Sequence, residues 1–244
     1  MKILISQKAP SNPAPFENVR NKYNATLDFR PFFIIEPVSA KEFRAEHINL
    51  PDYTAVVFSS RHAIDAYFKL AEEMRFKVPE TMKYFCTTEA VAMYLQKHIV
   101  YRKRKIFFGD GTTSSLIGLI GPKHKDEKFL ITTTVGANTE SICNQFEAAK
   151  LSYSVSALVK PVNQDLKDVD MASYDIVVML STSDLDSLQE NHPGYVQGNT
   201  KIIAFGKSIA TAAEAAGLTL ALKAPTPQAK SVAGAIEFLL ESSN

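Results

Sequence analysis

The residues of this chain best able to do chemistry lie in six short polar turns, each placed after an apolar, β-branched run. Ser59-Ser60-Arg61 and Ser181-Thr182-Ser183 follow two such runs, Thr87-Thr88 and Lys207-Ser208 follow two more, and Ser6-Gln7-Lys8 and Thr132-Thr133-Thr134 close another pair. Where a strand feeds a helix, hydroxyls and the first helical N–H groups form a seat for an anion, and open parallel sheets bind ligands at that edge. The same Ser or Thr can serve only as an N-cap, the commoner use of these residues at a helix start. Both uses stay open, and recurrence at matched places in two halves raises binding to an equal footing with capping. The candidate ligand residues are Ser6, Lys8, Ser59, Ser60, Arg61, Thr88, Thr132, Thr133, Ser181, Thr182, Ser183, Gly206, Lys207 and Ser208.

Other constellations are weaker. Phe108-Gly109-Asp110-Gly111 contains glycines, yet neither GxGxxG nor GxxxxGK[ST] is present, so nucleotide binding lacks its phosphate-loop signature and a turn is the plainer reading. The basic run Tyr101-Arg102-Lys103-Arg104-Lys105 reads as a solvated face before a strand. His62 heads a helix beside Arg61 and could donate to an anion or exchange a proton. His47, His98, His124 and His192 are scattered with no carboxylate or Ser at recognisable spacing, so neither a hydrolase triad nor a carboxylate dyad can be named. Cys86 and Cys143 form no CxxC and have no His at ligand spacing; a disulfide framework and a structural metal are both unexpected.

The elements that must position these turns repeat once. Lys2–Lys8 (KILISQK) aligns with Lys128–Thr134 (KFLITTT), and Glu36-Pro37-Val38 aligns with Lys160-Pro161-Val162. Tyr53–Asp65 aligns without a gap with Tyr174–Asp186, and Cys86–Ala90 aligns with Gly206–Ala210. An offset of roughly 120 residues far exceeds a solenoid or propeller period and indicates two duplicated α/β halves, with a cleft between them as a place for a ligand. Strands are expected at Lys2–Ser6, Phe32–Glu36, Ala55–Phe58, Tyr84–Cys86, Lys105–Phe108, Phe129–Thr132, Ser154–Val159, Ile176–Leu180, Lys201–Phe205 and Leu218–Leu222. His62–Met74 and Ser231–Leu240 carry helical apolar stripes. Apolar strands feeding helices imply parallel sheets covered on both faces.

Pro37 and Pro161 occupy equivalent positions and mark where the chain would cross between lobes, since Pro cannot donate to an interior ladder. Crossing there gives a discontinuous first lobe, an inserted second lobe and a hinge of two parallel linkers. Two sequential lobes divided near Lys128 fit the repeat more simply, and the pattern leaves both open. The length of 244 residues suits either organisation, and the near-zero net charge of +1 provides no long-range field to recruit nucleic acid or anionic membrane. The opening MKILISQKAP is too short for a signal-peptide core and no run of about 18 apolar residues occurs, so a cytoplasmic location with no membrane contact is expected.

Taken together, VVFSSRHAIDAYF (residues 56–68), GKSIATAAEAAGL (206–218) and APTPQAKSVAGAIEFLL (224–240) resemble the uroporphyrinogen-III synthase family. That family shows a strand ending in Ser-Ser or Thr-Ser before a helix, a Gly-x-x-Thr-Ala-x-Ala turn, and a Pro-Thr close to the last helix. The resemblance covers essentially the whole chain and rests on the ordered set of short motifs. It implies the discontinuous organisation, with a first lobe of residues 1–36 plus 162–244 and a second of residues 38–160. It also implies an enzyme that needs no cofactor and closes linear hydroxymethylbilane, with loss of water and inversion of the last pyrrole ring, to give uroporphyrinogen III, and a two-lobed hinge protein is expected to be a monomer. The family often places a Tyr on the second linker strand, where this chain has Val159, and a Thr where it has Ile209, leaving Ser208 as the nearest hydroxyl. Glu89 stands at the corresponding place of the other half, and Gln7 and Lys8 stand where an Arg is common. The proton for water loss would then come from substrate carboxyls, bound water, or a neighbouring donor such as Tyr153, Tyr174 or Lys160. The remaining alternative is an inactive relative that binds a polyanionic tetrapyrrole.

Overall fold

A computed structural model describes residues 1–242. Along the chain lie β1 (Lys2–Ile5), α1 (Ala14–Tyr23), β2 (Thr26–Phe29), β3 (Phe33–Pro37), α2 (Ala40–Ala45), β4 (Ala55–Phe58), α3 (Arg61–Glu73), β5 (Lys83–Cys86), α4 (Glu89–Tyr94) and β6 (Ile106–Phe108). They continue as α5 (Thr113–Ile120), β7 (Lys128–Thr134), α6 (Glu140–Ala148), β8 (Ser152–Asn163), β9 (Ile176–Met179), α7 (Thr182–Asn191), β10 (Lys201–Phe205), α8 (Lys207–Ala215), β11 (Leu220–Ala224) and α9 (Val232–Glu241). The chain divides into two compact units, one made of Met1–Ile34 with the chain from Val162 onward, the other of Ile35–Pro161.

The first unit carries a five-stranded sheet in the order β11-β10-β9-β1-β2, in which every neighbouring pair runs parallel. Ile3, Ile5, Ile176 and Val178 pack on one face with residues of α1 and α9, while Leu4, Val177 and Met179 pack on the other with residues of α7 and α8. Successive side chains point to opposite faces, so covering both faces forces both sets to be apolar, and that is why these strands read as unbroken apolar runs.

The second unit repeats the scheme with the order β3-β8-β7-β4-β5-β6. Val56 and Phe58 face the α3 and α4 side, and Ala55 and Val57 the α5 and α6 side. Its pairs β7–β8, β4–β7, β4–β5 and β5–β6 are parallel. The pair β3–β8 differs: Val38 N–H donates to Leu158 O (2.9 Å) and Gln164 N–H to Phe32 O (2.8 Å), so residue numbers run in opposite senses and the strands are antiparallel. The parallel linkers expected from sequence are thereby corrected; a chain that goes out along one strand and returns along its neighbour must reverse direction.

The other departures are in the presence or extent of single strands. β2, absent from the sequence reading, is a four-residue edge strand containing Asp28, too short and polar to announce itself. β11 begins two residues later than expected, and β8 extends well beyond Ser154–Val159 in both directions.

Phe85 anchors one face of the second unit, fully buried, stacked 4.8 Å from Phe107 and edge-on at 5.4 Å to Phe129. Phe85→Ala leaves a cavity that its neighbours cannot fill, and the expected cost is about 3–5 kcal/mol. Denaturant titration measures it as a lower unfolding midpoint; a loss below about 1 kcal/mol would contradict a closely packed core here.

Candidate functional site

In an open parallel sheet the ligand crevice lies at the carboxyl ends of the strands, where the strand order reverses. For the first unit that switch falls between β1 and β9, because β2 lies to one side and β10 and β11 to the other. The turns leaving these two strands carry Ser6 and Ser181. One buried carboxylate ties them together: Asp184 Oδ2 accepts from Ser6 Oγ (2.7 Å), Leu180 N–H (2.7 Å) and Ser181 N–H (2.9 Å). Asp184 is 0% exposed, and its Oδ1 has no partner among the described residues. Burial pushes its carboxyl above the ordinary range, against the lowering by the bonds from Ser6, Leu180 and Ser181.

The N–H groups expected to seat an external anion at this turn therefore already hold an internal one. Ser183 N–H is also engaged, by Ser181 Oγ (3.2 Å), while Thr182 is exposed. The more open seat in this unit is the neighbouring β10–α8 turn. Gly206 stands at φ 145°, ψ 146° as the N-cap, a conformation glycine reaches without strain, and it offers no side chain to cap α8. Its own N–H donates to Ala224 O (2.7 Å), and Lys207 and Ser208, in the first turn of α8, are exposed. Lys8, beyond β1, is exposed as well.

In the second unit the switch lies between β4 and β7, since β5 and β6 extend one way and β8 the other. Ser60 caps α3 by accepting from Ala63 N–H (3.1 Å), and Ser59 and Arg61 are exposed. Thr88 caps α4 through Val91 N–H (3.4 Å). Thr132 is 3% exposed and its hydroxyl donates to Val57 O (2.7 Å), so it braces two strands, whereas Thr133 is half-buried. Of the predicted ligand residues, Ser6 and Thr132 thus have their hydroxyls committed to the fold. Ser59, Arg61, Thr182, Lys207 and Ser208 are exposed at carboxyl edges.

The three candidate proton donors separate by sheet edge. Tyr153 pairs with Phe129 at the start of β7 and donates to Glu147 Oε1 (2.9 Å), a bond that pushes its phenol up. Tyr174 precedes β9 and donates to Asp28 Oδ2 (2.9 Å); burial first, then this bond, push it up to about 12. Both sit at the amino edges of their sheets, about 13 Å of strand from the turns at the other edge for Tyr153 and about 23 Å for Tyr174. Lys160 follows Val159, which pairs with Thr134 at the carboxyl end of β7, and its ammonium contacts Glu42 Oε1 at 2.6 Å.

A second cluster escaped sequence reading. Asp65 on α3 accepts from Tyr94 Oη (2.8 Å) and lies 2.7 Å from His98 Nε2, while the Arg61 guanidinium sits 5.5 Å from the Tyr94 ring centroid. Burial would raise the Asp65 carboxyl, but the bonds from Tyr94 and His98 together hold it below its ordinary value. His98 has no carboxylate at recognisable sequence spacing; its partner Asp65 lies 33 residues away, and only folding brings the pair together. Among the described residues no nucleophile completes a triad here, and the Tyr94 ring places the cluster beside Arg61. Asp184 did leave a trace in the sequence, as the Asp of a Ser-x-x-Asp capping box opening α7. Among the described residues no group of three or more His, Cys, Asp or Glu could hold a metal ion, and no helix is long and apolar enough to cross a membrane.

Val159 is 2% exposed within the core of the second unit, and Ile209 is 1% exposed within that of the first. Val159→Tyr must therefore overpack and is expected to cost about 1–3 kcal/mol of stability, read by thermal or chemical denaturation, with no gain in activity. A stable, more active variant would show that this position faces the reaction.

The family model for uroporphyrinogen-III synthase HemD matches residues 19–234. A uroporphyrinogen-III synthetase from Helicobacter pylori superimposes with a TM-score of 0.63 at 12% identity, covering 99% of each chain. A mutant uroporphyrinogen III synthase from the extremely thermophilic bacterium Thermus thermophilus gives 0.56 at 12% identity, again covering 99% of each chain. No curated protein sequence matches the chain. At these identities the solved structures establish the fold alone, while the match to nearly the full length of the sequence decides the family: the chain belongs to the uroporphyrinogen-III synthase family.

Proposed function

We propose that the protein is a uroporphyrinogen-III synthase, taking hydroxymethylbilane to uroporphyrinogen III with loss of one water. The observation that carries this reading is the family match over residues 19–234, on a fold whose two switch points both end in exposed hydroxyl and cationic turns. A substrate bearing eight carboxylates suits such edges: Arg61, Lys207 and Lys8 supply charge, Ser59, Thr182 and Ser208 supply hydroxyls, and Gly206 leaves the first turn of α8 without a side-chain cap. Local groups suffice, and a net charge of +1 is no obstacle.

The chemistry asks little of any one side chain. Protonation of the hydroxymethyl oxygen lets the C–O bond break and water leave. The resulting azafulvene is attacked by the substituted α-carbon of the last pyrrole to give a spiro intermediate. The original C–C bond from that carbon to the third ring's methylene then breaks, leaving an azafulvene on the third ring. The free α-carbon of the now inverted last ring attacks it, and loss of a proton from that carbon completes the macrocycle. Closure in the uninverted sense competes spontaneously, so imposing the folded substrate shape is the principal catalytic term. With Val159 buried and Tyr153 and Tyr174 at amino edges, the proton is assigned to substrate carboxyls or to bound water, with Lys160 the side-chain donor at a carboxyl edge.

One observation favours a second reading. Val159 and Ile209 replace the Tyr and Thr of the resemblance and are both buried, which fits a non-catalytic binder of a polyanionic tetrapyrrole. A coupled assay separates the two readings: hydroxymethylbilane is generated in place, the protein is added, and the oxidised products are resolved as uroporphyrin isomers. Predominantly isomer III is expected; isomer I alone, from folded protein that still binds uroporphyrin, would establish the binder. Ser208→Phe blocks an exposed first-turn position without touching the core and is expected to lower kcat/KM by about tenfold or more, with unchanged thermal stability. Wild-type turnover in that variant would remove the α8 turn from the site.

A further inference from the structure

The duplicated halves provide an internal control for every residue of the site. Alignment of Tyr53–Asp65 with Tyr174–Asp186 places Asp184 opposite Ala63, and carried along the same helices it places Ser187 opposite Ala66 and Asn191 opposite Leu70. Ala63, Ala66 and Leu70 are buried apolar residues of α3. On α7 the same stripe is polar and works as a set of ties. Asp184 joins the β1 and β9 turns, Ser187 Oγ donates to Phe32 O (2.6 Å), and Asn191 Nδ2 donates to Gln164 O (2.8 Å) while its Oδ1 accepts from Leu166 N–H (2.9 Å). Phe32 and Gln164 lie just inside the two points where the chain leaves and re-enters this unit.

A helix at this place in the fold therefore packs without any polar stripe, as α3 does. Burying a carboxyl group is costly, the more so with one oxygen unpartnered, and the alanine in the other copy avoids that cost. Asp184 completes a capping box at the start of α7, but α3 is capped by Ser60 with no such carboxylate, so seating a helix here does not require it.

We propose that Asp184 is a positioning residue, holding the β1 and β9 turns in the shape that the ligand requires, while Ser187 and Asn191 fix α7 to the segments through which the chain enters and leaves the unit. The inference rests on the reading of these turns as substrate-binding. Three donors on one carboxylate set the spacing of Ser6 and Ser181 at the switch point, and the exposed side chains Thr182 and Lys8 take their places from those turns.

The test uses the full chain with Asp184→Ala and Ser6→Ala, singly and together. Asp184→Ala restores the residue of the other copy, and Ser6→Ala removes only the link between the turns, so at least one variant reads out if the other folds poorly. Amide exchange at Leu180 and Ser181 is expected to accelerate in Asp184→Ala by about tenfold or more as their acceptor is lost. KM for hydroxymethylbilane is expected to rise by about tenfold, with a smaller change in kcat and a lower fraction of isomer III, and the double variant is expected to be no worse than Asp184→Ala alone. Faster exchange with KM and isomer ratio unchanged would reduce Asp184 to a helix cap and overturn the proposal. A wild-type protein that yields no isomer III sinks the functional reading, and the positioning role with it. A wild type that does yield it, matched by both variants, sinks the positioning role alone.

Discussion

Everything in this protein depends on burying both faces of two largely parallel sheets. Once helices cover the faces, the strands have no surface left for chemistry, and only their ends can meet a ligand. The carboxyl ends are favoured because helices begin there, with free N–H groups and a positive dipole end directed outward. A family whose substrate is defined by its carboxylates fits that geometry, and cationic residues can then be few and local.

The duplicated halves answer the same constraint with different chemistry. Thr132 and Ser6 occupy equivalent places and are both buried, yet the first donates to a strand carbonyl and the second to a carboxylate. α3 is seated by Ala63, Ala66 and Leu70 where α7 uses Asp184, Ser187 and Asn191. A shared fold thus supports two different carboxyl edges. In the second unit Ser60 caps its helix alone, and the cluster of Asp65, one turn into α3, with His98 and Tyr94 lies beside Arg61.

Much of this was legible in the sequence, for identifiable reasons. Ala55–Phe58 and Lys201–Phe205 were read to the residue, because strands buried on both faces are short apolar runs bounded by polar turns. The repeat marked the turns, and Ser60, Thr88 and Ser181 stand at them as N-caps. What a hydroxyl bonds to was not legible: Thr132 looked like a ligand residue and proved to be a brace, since its partner Val57 lies 75 positions away. Asp65 and His98 met only through folding, and the edge strand β2 lacked the apolar signal that burial on both faces imposes on the central strands. The antiparallel course of β3 against β8 is likewise a matter of topology, which local pattern does not encode.

The central claim is that the carboxyl-edge turns, and not the amino edges, meet the tetrapyrrole. Backbone amide chemical shifts recorded during titration with uroporphyrin III test it most directly. The account predicts saturable shifts concentrated at Ser6–Lys8, Ser59–His62, Thr87–Glu89, Ser181–Ser183 and Gly206–Ser208, with Tyr153, Tyr174 and the start of β5 near Met82 unmoved. Saturable shifts centred on Tyr153, Tyr174 or Met82, with the carboxyl-edge turns silent, would contradict it.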